Sequence, residues 1–304
     1  IVYSEGCKIT IGGSWNEDAV VPSDPEEDIK LIQEAVNVAE KSDIVVLAIG
    51  ENEQTSREAW SKIHLGDRTN LDLVGKQNEL LKEIQKTGKP IAVVLFNGRP
   101  NSITYIAETV PSVLECWYLG QETGNAVADV LFGDVNPSGK LPISIPRSVG
   151  HIPCHYNHKP SSRRGYLFDD ISPLYPFGFG LSYTKFAISN LHLEKEEITI
   201  GENIVASVTI KNIGEIEGTE VVQLYIRDLV SSVTRPVKEL KGFEKIMLKA
   251  GEEKEIKFII TNKELAFTNI DMEHKVEPGE FEIMIGNSSA EKDLQKKKLI
   301  VKKS

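Results

Sequence analysis

Two apolar runs constrain the fold most: Asp43 to Gly50 (DIVVLAIG) and Pro90 to Phe96 (PIAVVLF). Continuous β-branched runs of this length read as strands buried on both faces, the habit of a parallel sheet. Helical segments precede each run. Asp24-Pro25-Glu26-Glu27 is a helix start, with a capping Asp, Pro at the first helical position and acids in the first turn; Ile29, Ile32, Val36 and Ala39 then follow helical spacing. A second helix carries Gln77, Leu80, Leu81 and Ile84 and ends at Gly88. Asn101–Glu108 predicts a short helix, Ser112–Tyr118 a third strand, and Gly124–Phe132 a helix stopped by Gly133. Alternating β and α segments predict a mostly parallel sheet with helices on both faces.

After Phe186 the pattern changes. Ile204–Ile210 and Val221–Ile226 alternate, and Gly251 and Gly279 mark turns before Ile256–Ile260 and Phe281–Ile285. Short alternating strands separated by turns predict a β-sandwich. Between the two patterns lie Pro- and Gly-rich stretches, including Asn136-Pro137-Ser138-Gly139 and Pro173 to Gly180. Their aromatics predict ordered loops rather than a flexible tether. The expected organisation is an α/β sandwich domain over 1–160, an ordered linker over 161–185 and an all-β domain over 186–304.

Composition excludes several functions. A formal charge of −10 over 304 residues leaves no basic footprint for nucleic acid, and the basic tail Lys296–Lys303 reads as a solvated terminus. No apolar run approaches a membrane span. Three widely spaced cysteines, Cys7, Cys116 and Cys154, form no zinc or redox motif; they weigh toward a reducing, cytoplasmic setting, with periplasmic or secreted settings left open. There is no phosphate-binding loop and no nucleophile elbow. His151, His155 and His158 have spacings that suit a metal only on a helix, and Pro153 opposes a helix there. No metal or cofactor is expected.

Ionisable groups concentrate from Glu51 to Arg68, in a segment of about twenty residues leaving a strand end, where ligands of open parallel sheets gather. Glu51, Glu53, Glu58 and Asp67 supply carboxylates, Arg57, Lys62, Arg68 and His64 supply counter-charge and donors, and Trp60 supplies an apolar face. A carboxyl beside an aromatic wall suits general acid chemistry, and a sugar ring stacks on Trp. A plain solvated loop has the same composition.

The same residues carry a resemblance. SDIVVLAIGE (42–51), TSREAWSKIHLGDRTNLDLVGKQ (55–77), GKPIAVVLFNGRP (88–100), LFGDVNPSGKLPISIPRSVGHIP (131–153) and LYPFGFGLSYTKF (174–186) resemble glycoside hydrolase family 3, of the β-glucosidase and β-xylosidase kind. The likeness continues through PVKELKGFEKIMLKAGE (236–252) and VEPGEFEIMIG (276–286). It implies a (β/α)₈ barrel, an α/β sandwich domain and a fibronectin type III-like domain, of which this chain resembles only the part after the barrel, with the α/β sandwich domain expected to be trimmed at its start. It implies retaining hydrolysis of terminal β-linked sugars without metal or organic cofactor. The nucleophile would be a barrel Asp outside these residues, and the general acid/base a carboxylate on the loop at Glu51 to Arg68.

Within that loop the resemblance selects Glu58, seven residues after Glu51, with Glu53 and Glu51 as runners-up and Asp67 behind them. Arg57, Trp60, Asp67, Arg68, Tyr156 and His158 are expected substrate contacts. The loop 150–170, with His155, Asn157, Arg163 and Arg164, is an expected rim of the site. The expected partners are a β-linked oligosaccharide or aryl β-glycoside, the barrel domain and, as an open case, a second copy in a homodimer. The competing readings are a non-catalytic carbohydrate-binding or scaffold module of the same fold and an unrelated nucleotide-binding α/β protein, which the absent phosphate loop disfavours.

Overall fold

The computed structural model describes residues 1–12, 20–58, 67–162 and 165–303. The chain divides into two compact units: residues 1–128 with 145–152, and residues 129–144 with 153–304.

The first unit opens with α1 (Pro25–Ala39), whose Asp24 cap accepts the Glu26 N–H at 2.9 Å. Its buried stripe is Asp28, Ile32, Ala35 and Ala39: Ile32 and Ala39 lie where expected, Asp28 and Ala35 take the places expected for Ile29 and Val36, and Ile29 is 56% exposed. Asp28 takes the inward place because it accepts the Lys8 N–H at 2.9 Å and the Ser23 hydroxyl. Then follow β1 (Val45–Gly50), the single turn α2 (Glu53–Ser56), α3 (Gln77–Gln85), β2 (Ile91–Phe96), α4 (Thr104–Thr109), β3 (Ser112–Glu115) and α5 (Thr123–Phe132), whose residues from Asp129 on are counted in the second unit. The sheet order is β1-β2-β3, all parallel, with Val45 opposite Ile91 and Ala92 opposite Ser112. Helix α3 packs on α1 and on β1.

Strand β2 lies in the centre and is buried at Ile91 through Leu95, as its unbroken apolar run requires. Strand β1 departs from the expectation. Among the described residues it is an edge strand, whose Leu47 and Ile49 are buried while Val46 is 50% exposed. An apolar run reports only that both faces tolerate burial, not that both are covered.

The second unit contains β4 (Phe186–Leu193), β5 (Glu197–Thr199), β6 (Ile204–Asn212), β7 (Gly218–Asp228), β8 (Glu239–Leu248), β9 (Glu253–Ile260), the turn α6 (Asn262–Leu265), β10 (Phe267–Thr268), β11 (His274–Lys275), β12 (Gly279–Gly286) and β13 (Leu294–Lys302). A five-stranded sheet, β5-β13-β12-β7-β8, faces a three-stranded one, β4-β6-β9. Ile210, Leu224, Ile226, Phe258, Phe281 and Leu299 fill the core.

Strand β7 is buried on its outer face as well. Tyr156 stacks on Phe177 (centroids 4.2 Å apart), and both meet Tyr225 edge-on. Gln223 donates to the carbonyls of Gly178 and Asn287 at 3.0 and 2.8 Å. The aromatic Pro- and Gly-rich segment is therefore a lid on the sandwich's outer face. Among the described residues no helix is long and apolar enough to cross a membrane.

Candidate active site at the strand ends

The three parallel strands of the first unit each end in polar residues. At the end of β1, Gly50 has φ +142°, and a Cβ there would lie 1.7 Å from the Phe96 carbonyl oxygen, so only glycine fits. The buried Gln77 amide grips this residue from α3, accepting its N–H at 2.6 Å and donating to its carbonyl at 2.8 Å. The next backbone N–H, of Glu51, donates to Phe96 at 2.7 Å.

The Glu51 side chain is fully buried. Arg68 donates to one carboxylate oxygen and Ser56 Oγ to the other, the latter at 3.0 Å. Arg68 also donates to Asn70 Oδ1 at 3.1 Å and to the Asp72 carbonyl. A carboxylate with both oxygens held in this way is an anchor. It ties the far end of the segment to the strand from which the segment departs.

Between these anchors Asn52 caps α2, in a capping box with Thr55. Glu53 is exposed in the first turn of α2, where an acid suits the helix dipole. The backbone then extends through Arg57 and presents Glu58, whose side chain is 74% exposed. Asp67 is exposed beside Arg68. Trp60, with Lys62 and His64, lies outside the described residues, as do Arg163 and Arg164.

The ends of β2 and β3 complete the group. Asn97 is fully buried and donates to the Arg99 carbonyl at 2.9 Å. A Cβ on Gly98 would meet Tyr118 at 2.7 Å and Ser56 Cβ at 3.0 Å, so the β2 turn packs tightly on α2. Arg99 donates from Nε to the Ser56 carbonyl (3.0 Å) and from Nη2 to the Arg57 carbonyl (2.6 Å); its Nη1 lies 3.2 Å from Glu58 Oε1. At the end of β3, burial pushes the Glu115 carboxyl up to about 7 against the opposing hydrogen bonds from Trp117 N–H and Asn97. Trp117 has φ +54°, an uncommon conformation for a bulky residue. Tyr118 follows with its hydroxyl 2.6 Å from Ser56 Oγ, and burial raises its pKa.

The structure thus gathers Glu51, Arg57, Glu58 and Arg68, and adds Ser56, Arg99, Glu115 and Tyr118, to which the sequence alone assigns no role. The missing signal is positional: Arg99, Glu115 and Tyr118 all lie at the C-terminal ends of parallel strands. Tyr156 and His158 belong to the second unit. There the Tyr156 hydroxyl accepts the Leu240 N–H at 3.1 Å, and the His158 carbonyl accepts the Val237 N–H at 2.9 Å.

Residues 13–183 match the glycosyl hydrolase family 3 C-terminal domain, and residues 220–289 match the fibronectin type III-like domain. The chain belongs to glycosyl hydrolase family 3. Among its family 3 relatives, a β-xylosidase of Formosa agariphila is 48% identical across 88% of the chain. A periplasmic β-glucosidase of Salmonella typhimurium is 42% identical across 95%. The chain spans only 37% and 39% of the lengths of these two relatives. Of solved structures, a β-glucosidase from Erythrobacter marinus matches with a TM-score of 0.95 and 41% identity, over 99% of this chain and 41% of that one. A β-glucosidase from Listeria innocua in complex with glucose matches with a TM-score of 0.81 and 38% identity, over 90% of this chain and 38% of that one.

Proposed function

We propose that the chain is the C-terminal part of a retaining, exo-acting β-glycosidase, a β-glucosidase ahead of a β-xylosidase, and that Glu58 is its general acid/base. The carrying observation is the contrast between Glu51 and Glu58. Glu51 is sealed by Arg68 and Ser56, whereas Glu58 stands exposed at the end of a segment braced on both sides. Proton transfer to a glycosidic oxygen needs a carboxyl group that a substrate can reach.

In the two-carboxylate scheme Glu58 protonates the departing oxygen while a nucleophilic carboxylate about 5–5.5 Å away attacks the anomeric carbon. Glu58 then takes a proton from water as the glycosyl-enzyme is hydrolysed. The nucleophile belongs, on this reading, to the barrel of the intact enzyme, and the 304 residues alone turn over no aryl β-glucoside.

In the intact enzyme, Glu58→Gln should slow hydrolysis of substrates with poor leaving groups by about 10²–10⁴-fold. Activated aryl glycosides should lose far less in the glycosylation step, and azide should restore turnover by attacking the glycosyl-enzyme without needing a base. Equal losses on both substrate types without azide rescue would count against Glu58.

A further inference from the structure

We infer that Arg99 is the positioning residue of the acid/base, an inference that rests on the reading of Glu58 above. One guanidinium meets three consecutive residues: the carbonyls of Ser56 and Arg57 and the carboxylate of Glu58. The two carbonyl contacts hold the backbone that leads into Glu58, and the third holds the side chain itself. Only the planar, multi-donor fork of Arg can make all three at once; a lysine ammonium supplies the charge without the geometry.

The brace is itself braced. The Arg99 side chain is 12% exposed, against 74% for Glu58, so the rigid partner is the arginine. The buried Asn97 amide fixes the Arg99 carbonyl, and the lack of space at Gly98 presses this turn onto Ser56 and Tyr118. The reach is long in sequence, 42 and 43 residues to the two carbonyls, so the contact couples the end of β2 to the loop that leaves β1. An exposed glutamate at the end of an extended segment has several open rotamers, and ordering it has an entropic cost. The fork confines it before substrate arrives. An ordinary surface ion pair contributes little, but this one also orients the group that must deliver a proton.

The test uses Arg99→Ala and Arg99→Lys in the intact enzyme, each also combined with Glu58→Gln. Misplacing a reacting group by about 1 Å costs about 100-fold. Arg99→Ala should therefore lower kcat about 100-fold for poor leaving groups and only a few-fold for activated aryl glycosides. Arg99→Lys should recover little of the loss. In the Glu58→Gln background the same arginine substitutions should have almost no further effect, because the group they position is gone.

Equal loss on both substrate types, or the same loss with and without Glu58, would overturn the inference while leaving Glu58 in place. A Glu58→Gln enzyme with unaltered leaving-group dependence would remove the reading of Glu58, and this inference with it. If circular dichroism shows neither arginine variant folded, Arg99 is a folding residue and the inference also fails.

Discussion

Glu51 in the first unit and Glu220 in the second are both carboxylates removed from water and paired with a cation, yet they are used differently. Glu51 hangs from the end of β1, and its partners, Ser56 and Arg68, lie on either side of the segment that leaves the strand. Glu220 sits within β7, closed by Lys140 at 2.6 Å, by its neighbour's N–H on Val221 at 2.6 Å and by Asn287 at 3.3 Å. The first arrangement fixes both ends of a loop and leaves Glu58 pointing outward between them. The second fastens loops over a sheet and presents nothing. Burying charge is thus no mark of a site by itself. What distinguishes the site is that the anchored segment carries a reachable carboxylate.

The largest expected effect tests that distinction. Breaking a buried ion pair from one side typically costs about 3–5 kcal/mol. Glu51→Ala should fall in this range, and in the intact enzyme it should also depress turnover at temperatures where the fold persists, because Ser56 loses its acceptor and Arg68 its anchor. Lys140→Met should cost somewhat less, since Glu220 keeps two further donors, and should leave turnover of the folded enzyme unchanged. Denaturant unfolding with parallel kinetics separates the outcomes. A Lys140 variant that stays folded but loses activity would break the contrast.

A second contrast concerns one raised acid in each unit. Burial lifts Glu115 from about 4.5 to about 7, and lifts Asp228 from 3.8 to about 6. In both cases the folded state holds its proton over a range where the unfolded chain has released it. Each group's contribution to stability is therefore complete below its unfolded pKa and lost as pH rises through its folded one. For Glu115 the window runs from about pH 4.5 to 7 and is worth up to about 3 kcal/mol. Glu115→Gln should flatten stability across that window, as read by hydrogen exchange of β2 and β3. Asp228→Asn should flatten it between about pH 4 and 6, as read in β7 and β12. If either substitution changes the pH dependence of the other unit's strands, the two acids do not report on separate units.

These features differ in how far the residues announce them. The cap at Asp24-Pro25 and the buried run of β2 depend on near neighbours and on hydropathy, and both are readable from local sequence. The exposure of Val46 and Ile29 is not, because it depends on which faces the rest of the chain covers. In the site, composition marks the segment from Glu51 to Arg68 but does not rank its carboxylates. Glu51 becomes an anchor only because Arg68, 17 residues on, turns back to it. Glu58 is singled out in the sequence only by resemblance to relatives. Arg99 is legible in neither way, since no spacing rule links residues 42 or 43 apart. The single turn α2 is hidden in a segment too short for periodicity to register, although its Asn52-to-Thr55 capping box is present in the residues.

The smallest contrast is between two tyrosine hydroxyls. Ser56 gives its only hydroxyl proton to Glu51, so the Tyr118 hydroxyl donates to Ser56 and the chain of bonds runs Tyr118 to Ser56 to Glu51. Tyr118 is half exposed, and water can replace its hydroxyl on Ser56. Tyr118→Phe should therefore cost about 0.5 kcal/mol. Tyr225 is fully buried and donates to Gln223 Oε1 at 2.5 Å, where no water replaces it. Tyr225→Phe leaves that acceptor unsatisfied and should cost about 1–2 kcal/mol in thermal or denaturant unfolding. If Tyr118→Phe proves the more damaging of the two, the hydroxyl is part of the anchor and not a solvated extension of it. The stiffness around Glu58 would then extend to the end of β3.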